Sequence, residues 1–365
     1  MGNYGERLDN IISLDLQLQG LINSKLKNID EFNASWSDLE MEGAEEFLRE
    51  LKELSTIQSI GSSTRIEGSK LQDSEIRDLI KDLDINKLQS RDEEEVTGYY
   101  EALDLIYESY ETLFLSESYI KQLHGVLLKH SSKDTRHCGQ YKALSNKVVA
   151  KYPDGKSRIV FNTTEPYLTA KEMAELIDWA NERLSYTGVH PLLVIAAFVY
   201  EFLSIHPFQD GNGRLSRLLT NLLMMKSGYK FVQYISFEHV IEQRKKEYYQ
   251  NLMEAQANRF TEEENLGLWF IYFFDCIENL ISKLQAKVVD AGGVCDKSQL
   301  EEGLSQRQSL ILDFVNKNGQ VKIADLEQEF PDLNREAIKY TIYQLLEAGK
   351  LSRHGQGRGT WYQAR

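Results

Sequence analysis

Proline is scarce, with five in 365 residues. So few interruptions, combined with long apolar periodicities rich in Leu, read as a mainly α chain, and the length allows two or three domains. Cysteine is scarcer still. Cys138, Cys276 and Cys295 have neither metal-ligand nor redox spacing, so free thiols in a reducing compartment are expected. No run of about eighteen or more uncharged apolar residues occurs, so no transmembrane helix is expected. The N-terminus has early acids and no apolar core, so no signal peptide is expected and the setting is cytoplasmic. Positive charge is outnumbered, 42 Lys and Arg against 56 Asp and Glu. The net −14 favours solubility and argues against general nucleic-acid affinity. Internal repeats and low-complexity tracts are absent too.

What is present concentrates in one stretch, His206-Pro207-Phe208-Gln209-Asp210-Gly211-Asn212-Gly213-Arg214-Leu215-Ser216-Arg217. It follows an apolar run, Pro191 to Ile205, whose length favours a buried helix over a strand. It leads into Leu215 to Met225, again apolar and rich in strong helix formers. The stretch therefore reads as a loop between two core helices, with Gly211-Asn212-Gly213 opening the second. The first N–H groups of a helix lack partners and carry partial positive charge. Glycines there permit positive φ and close approach, so an anion-binding nest is expected. Arg214 and Arg217, three apart, share a helical face and point at one anion. A lone His before Pro, a Gly-Asn-Gly turn or two spaced arginines would each have an ordinary structural reading. Between two apolar helices, two buried guanidiniums call for an anionic partner. The loop reads as a phosphate site holding a base, a carboxylate for a metal, and two cations.

These residues resemble the HPFxDGNGRxxR signature of Fic domains at every fixed position. The resemblance implies an all-helical enzyme that transfers the AMP part of ATP to a protein hydroxyl. By the same resemblance His206 is the general base, and Asp210 holds Mg²⁺ against the α- and β-phosphates. Asn212, with the amides of Gly211 and Gly213, stabilises the α-phosphate oxygens. Arg214 grips the β/γ-phosphates, Arg217 the γ-phosphate, and Phe208 is the buried anchor of the loop. A His of ordinary pKa near ~6.5 suits a hydroxyl proton around neutral pH. One carboxylate completed by phosphate and water oxygens suits Mg²⁺. Gly213 argues against the death-on-curing kinase relatives. Phosphocholine transferases share the loop, so the motif leaves the nucleotide open.

Upstream, Ser63-Thr64-Arg65-Ile66-Glu67-Gly68 resembles the inhibitory pattern of the same family. Ala44 to Ile66 reads as helix, since Phe47, Leu48, Leu51, Leu54 and Ile57 recur at three and four. Ser63 and Glu67 then share a face, and Gly68 stops the helix. On this reading Glu67 occupies Arg217 and keeps the enzyme off. Between residues 136 and 166, Lys147–Lys151 and Ser157–Asn162 flank Pro-Asp-Gly, a hairpin signal. Fic proteins carry a flap there that docks the target by strand addition. Gly139-Gln140-Tyr141-Lys142 resembles the family's Gly-x-Tyr-Arg, with Lys in place of Arg. Glu238 to Leu252 resembles the helix with a Tyr pair, making Tyr248, Tyr249 and Asn251 candidates near the adenine.

The expected organisation is an N-terminal helical region at 1–95 and a Fic core at 96–285 that opens with the helix Glu94–Tyr107. A linker at 286–304 and a small module at 305–365 follow. In that module Ser305–Asn316, Ile323–Phe330 and Asn334–Ala348 read as helices. Leu351–Arg353 and Thr360–Tyr362 read as strands around a tip at His354–Gly359, a pattern that resembles a winged-helix domain. Over 300–365, nine Lys and Arg balance nine Asp and Glu, less basic than a DNA reader should be. The expected partners are a protein substrate at the 147–162 hairpin, the chain itself as a target, and DNA or protein at the module, a homodimer included. No membrane contact is expected. The competing readings are a DNA-binding regulator whose Fic core senses nucleotide, and a Fic enzyme that removes AMP or transfers another nucleotide.

Overall fold

Every residue from Leu192 to Ile205 is buried, and the larger part of the chain is arranged around that helix. The computed structural model describes residues 4–14, 16–41, 45–151, 157–186, 188–290, 306–330, 338–339, 341–342, 345–346, 349–355 and 360–364. Two units separate at residues 293 and 294. In the first, α1 (Tyr4–Ile12), α2 (Leu16–Met41), α3 (Glu45–Glu67), α4 (Asp73–Lys81), α5 (Arg91–Ser109) and α6 (Glu117–Leu127) come before a strand pair. The strands are β1 (Lys147–Lys151) and β2 (Ser157–Asn162). Then follow α7 (Pro166–Leu184), α8 (Pro191–Ile205), α9 (Asn212–Lys226), α10 (Phe237–Gln243), α11 (Lys245–Ala257) and α12 (Gly267–Asp290).

Helix α8 packs against α1, α7, α9 and α12. Each large apolar side chain it buries contributes about 1.5–3 kcal/mol. Strands β1 and β2 pair antiparallel in the expected arms, with the register shifting between Val148 and Val149. The turn of this hairpin, 152–156, lies outside the described residues. Leu8, Ile22, Trp36 and Ile60 belong to the same core as α8, so the expected division near residue 95 is not a break in packing. The linker expected from Ala286 is also corrected, because α12 continues to Asp290. Ile281, Leu284 and Val288 keep the three-and-four spacing that holds this helix on the core. The remaining linker positions, 291–304, lie outside the described residues.

Helix α3 runs alongside α5, α9 and α10. It ends as its sequence indicates: Gly68 has φ +114°. Gly68 N donates to Arg65 O and Ser69 N to Thr64 O, both at 3.1 Å, the paired bonds of a Schellman stop. Lys245 Nζ donates to the Ile66 carbonyl at 2.6 Å, which satisfies another terminal acceptor. Ser63 and Glu67 face α9, while Arg65 points away from them. Its Nε donates to Glu242 Oε1 at 2.7 Å and its Nη1 to Asp73 Oδ1 at 2.9 Å.

A second polar cluster fixes α1 to α8. The Glu201 carboxylate is fully buried and accepts from Arg7 Nη1 at 2.9 Å and Arg259 Nη2 at 2.7 Å. The Tyr4 hydroxyl donates to it as well. Arg259 reaches on to Thr164 Oγ1 at 3.0 Å and Glu172 Oε2 at 2.8 Å. Burial raises the Glu201 pKa, but the two guanidiniums, Arg259 foremost, bring it down to about 2.

The second unit holds α13 (Gln306–Asn318), α14 (Ile323–Glu329) and the antiparallel strands β3 (Leu351–His354) and β4 (Trp361–Ala364). Val321 bridges to Tyr362. Ile311, Val315, Leu326, Ile342 and Leu351 are among its own core residues. Most of the third helix expected at Asn334–Ala348 lies outside the described residues, as does the tip at 356–359. Residues 338–339, 341–342 and 345–346 are helical.

Candidate active site

Helix α8 stops because Pro207 has no N–H and disfavours helical geometry in the residue before it. That residue, His206, sits at φ 53°, ψ 61°. A left-handed conformation costs a residue with a side chain roughly 1–2 kcal/mol. The surrounding bonds hold it there. His206 N donates to Phe202 O at 2.9 Å, and Lys142 N donates to Pro207 O at 2.8 Å. The Phe208 carbonyl accepts from Nδ2 of both Asn146 and Asn212, each at 2.8 Å. The Phe208 ring is fully buried and stacks on His124, 3.8 Å between centroids.

Asn212 Oδ1 also accepts from Phe208 N at 2.9 Å, so both ends of that side chain close the loop. The role expected for it on phosphate oxygens is therefore corrected; Asn212 offers an anion its backbone N–H. Gly211 caps α9 at φ +80°, and the first helical bond is Leu215 N to Gly211 O at 2.9 Å. The N–H groups of Asn212, Gly213 and Arg214 consequently have no partner within the helix. Gly213 is helical and does not use positive φ. Its missing side chain matters through space: a Cβ there would lie 2.3 Å from Glu67 Oε1.

His206 Nδ1 lies 3.4 Å from the Leu203 carbonyl. A carbonyl only accepts, which places the proton on Nδ1 and leaves Nε2 a bare acceptor. Among the described residues nothing bonds to Nε2. The ordinary pKa expected for this ring is corrected: burial first, then the nearby Lys142 charge, lowers it to about 4. His206 is thus neutral, and able to accept a proton, throughout the physiological range.

The two arginines do not converge on one point. Arg217, 2% exposed, donates from Nε to Ser63 Oγ at 2.8 Å and from Nη2 to Ser63 O at 3.0 Å and Glu67 Oε1 at 2.8 Å. Arg214, equally buried, lies 3.3 Å from Glu95 Oε2 and 3.4 Å from Asp210 Oδ1. The anion that two buried guanidiniums required is supplied by the chain's own carboxylates. Arg214 is the less satisfied of the two, since its Nε and Nη1 lack hydrogen-bond partners. Arg91 on α5 donates from Nε to Glu95 Oε1 at 2.7 Å and sits 3.6 Å from Asp210 Oδ2. Asp210 Oδ1 also accepts from Gly211 N at 2.6 Å.

His124 was not singled out from the sequence, where it is one polar residue on an ordinary amphipathic helix. Gly139 N donates to its Nδ1 at 2.9 Å, so Nε2 carries the proton and donates to the Asp210 carbonyl at 3.0 Å. Burial, followed by Arg214, lowers its pKa to about 4. Both imidazoles therefore bind protons more weakly folded than unfolded, where the reference value is 6.5. Between those values the unfolded chain holds more protons, so stability falls as pH falls from about 6.5 toward 4. Urea midpoints measured across that range should drop toward acid, and Gln in place of His124 should flatten the slope.

Residues 114–224 match the model of the Fic/DOC family. The chain carries a Fic domain. Similar proteins include a protein adenylyltransferase fic-1 of Caenorhabditis briggsae, 39% identical over 69 residues, which is 19% of this chain and 13% of that protein. The protein adenylyltransferase Fic of Drosophila willistoni is 28% identical over 266 residues, 72% of this chain and 48% of that one. The chain thus spans about half, or less, of the curated relatives it matches. In three dimensions it resembles a Fic family protein from Desulfovibrio desulfuricans with a TM-score of 0.59. That pair is 21% identical, over 94% of this chain and 95% of the other. Fic-1 from Caenorhabditis elegans gives 0.60 at 22% identity, over 75% of each chain.

Within the Fic domain and its surroundings, the helix expected from Glu238 to Leu252 breaks at Arg244 into α10 and α11. Tyr248 is buried against Trp269 and Tyr272, a core placement. Tyr249 is partly buried, and after burial itself the Glu67 carboxylate is the next cause of its raised pKa, which places its hydroxyl near the arginine cluster. Asn251 Nδ2 donates to the Glu247 carbonyl of its own helix at 2.9 Å, so it does not join the loop. Among the described residues no three His, Cys, Asp or Glu side chains gather as metal ligands, and no helix is long and apolar enough to cross a membrane. Glu95 escaped notice as well; its only signal was helical spacing from Arg91.

Proposed function

We propose that this chain is a protein adenylyltransferase that moves AMP from ATP to a protein hydroxyl and is held off by Glu67. The observation that carries this reading is the bare Nε2 of His206, set beside the unpartnered amides that open α9. The target hydroxyl gives its proton to Nε2 as its oxygen attacks the α-phosphorus, and pyrophosphate leaves. The amides at 212–214 receive the charge on the α-phosphate oxygens, and Arg214, whose Nε and Nη1 await partners, takes the β/γ-phosphates. The partly exposed carboxylate of Asp210 suits Mg²⁺, a cation usually bound by one or two carboxylates plus phosphates and waters. When bound there, Mg²⁺ would neutralise phosphate charge. The hairpin β1–β2 offers an edge on which a target segment can add as a strand.

Glu67 keeps Arg217 from the γ-phosphate both by occupying its Nη2 and by repelling that group. A switch of this kind is worth about 1–3 kcal/mol, or roughly 5–150-fold. Incubation with labelled ATP and Mg²⁺ should show Glu67→Gly transferring label that much faster than the unaltered chain, to itself or to an added protein. No label transfer by a folded Glu67→Gly chain would defeat the enzyme reading. Removal of AMP is the second reading, favoured because a carboxylate already stands at the phosphate arginine; it predicts loss of label from a pre-labelled target. The module at 305–365 we read as a winged-helix domain for protein contact, in keeping with its balanced charge.

A further inference from the structure

Lys142 is buried, and its ammonium has three protons to place. Three oxygens take them: Asn146 Oδ1 at 3.0 Å, Thr163 Oγ1 at 2.9 Å and the Ile205 carbonyl at 2.9 Å. All three are neutral. Among the described residues no carboxylate stands within ion-pair distance; Glu165 and Glu172 act from farther off, and Arg259 opposes them. Elsewhere in this unit buried cations are answered by carboxylates, Arg259 by Glu201 and Arg217 by Glu67. A buried charge met only by dipoles is a costly way to hold a loop, since neutral groups would make similar bonds at less desolvation. A charge kept on those terms acts on something beside it.

Its surroundings show what that is. Asn146 precedes β1 and Thr163 follows β2, so the ammonium draws the two ends of the hairpin together. Ile205 is the last residue of α8 and precedes His206. Lys142 N holds Pro207 O on the other side of that histidine. Asn146 extends the link to the Phe208 carbonyl. One residue thereby joins the hairpin base to the backbone on both sides of the base.

We propose that Lys142 is a positioning residue: it keeps the hairpin base in register with His206, and its charge holds the imidazole in the neutral, proton-accepting form. The purpose served rests on the transferase reading above; the coupling itself does not. Lys142 is the nearest cation acting on the imidazole, opposed more weakly by the carboxylates of Glu67 and Asp210.

The test follows the His206 ring by NMR through a pH titration of the full chain. Lys142→Gln keeps hydrogen-bond donors and removes the charge; the proton affinity of His206 should rise by about tenfold or more. Lys142→Arg should leave it near the unaltered value. An unchanged His206 titration in Lys142→Gln overturns the proposal. The unaltered chain gives a second reading that needs no substitution. Burial lowers the Lys142 pKa to about 8, so the His206 ring and the amides of Asn146 and Thr163 should shift together as pH rises through that value. Signals that stay still there overturn it equally. Titrations as expected, with no AMP transfer by Glu67→Gly, would support the coupling while sinking the transferase reading.

Discussion

His206→Ala, made in a Glu67→Gly chain, is expected to lower AMP transfer by about 10²–10⁴-fold, the usual worth of a positioned general base. Nothing else on the loop can substitute: Asp210 already accepts from Gly211 N, and the Asn212 side chain is committed to Phe208. Nucleotide affinity should change little, because His206 carries none of the phosphate contacts assigned to the amides and arginines. The pH profile separates this role from a structural one. A base whose pKa is lowered to about 4 loses activity only as pH falls toward that value. An ordinary histidine would already fail near 6.5. A Glu67→Gly enzyme with an acid limb near 6.5, or a His206→Ala variant of full rate, would remove His206 from this role.

The largest expected effect on stability is at Glu201, far from any phosphate. Replacing it with Ala leaves Arg259 and Arg7 buried against a missing partner. Breaking a buried pair in this way costs about 3–5 kcal/mol. Glu278, which meets Lys25 at 2.7 Å, is the control: it is 30% exposed, and such a pair contributes roughly 0–1 kcal/mol. Chemical denaturation of both variants should show a large drop in midpoint for Glu201→Ala and almost none for Glu278→Ala. Equal midpoints would mean that the α1–α8 cluster is looser than its distances suggest. The acid side adds a second signature. Because the Glu201 pKa is lowered to about 2, its contribution is present above the unfolded reference of 4.5 and fades as pH falls toward 2.

The helices around the loop were legible because apolar periodicity and stop signals act locally. Pro207 and Gly68 end α8 and α3 by their own backbone preferences, and the two hairpin arms carry their own β-branched residues. The Glu67–Arg217 pair was legible only through the motif that surrounds each residue, since 150 positions separate them. What could not be read was the set of partners chosen by packing. Asn212 had several suitors, and only the folded loop shows that Phe208 takes both its ends. The same holds for Arg214, whose nearest anion is Glu95 on a helix that no local pattern connects to it. His124 and Lys142 were invisible as site residues because their influence depends on burial, which no short window of sequence reports. Arg244 broke an expected helix without any Gly or Pro to announce it.

The opposed faces of α3 limit how a brake at its end can be released. Glu67 grips Arg217 on one side, while Arg65 grips Glu242 and Asp73 on the other. Rolling the whole helix far enough to lift Glu67 would tear out the Arg65 ion pairs in the same movement, so rotation of the rigid body is mechanically blocked. Fraying is cheaper. Gly68 has already left the helix, and freeing Ile66 and Glu67 sacrifices little beyond the Lys245 bond to the Ile66 carbonyl and the pair with Arg217 itself. The natural motion is the unwinding of a single terminal turn, with the rest of α3 serving as its fixed mount.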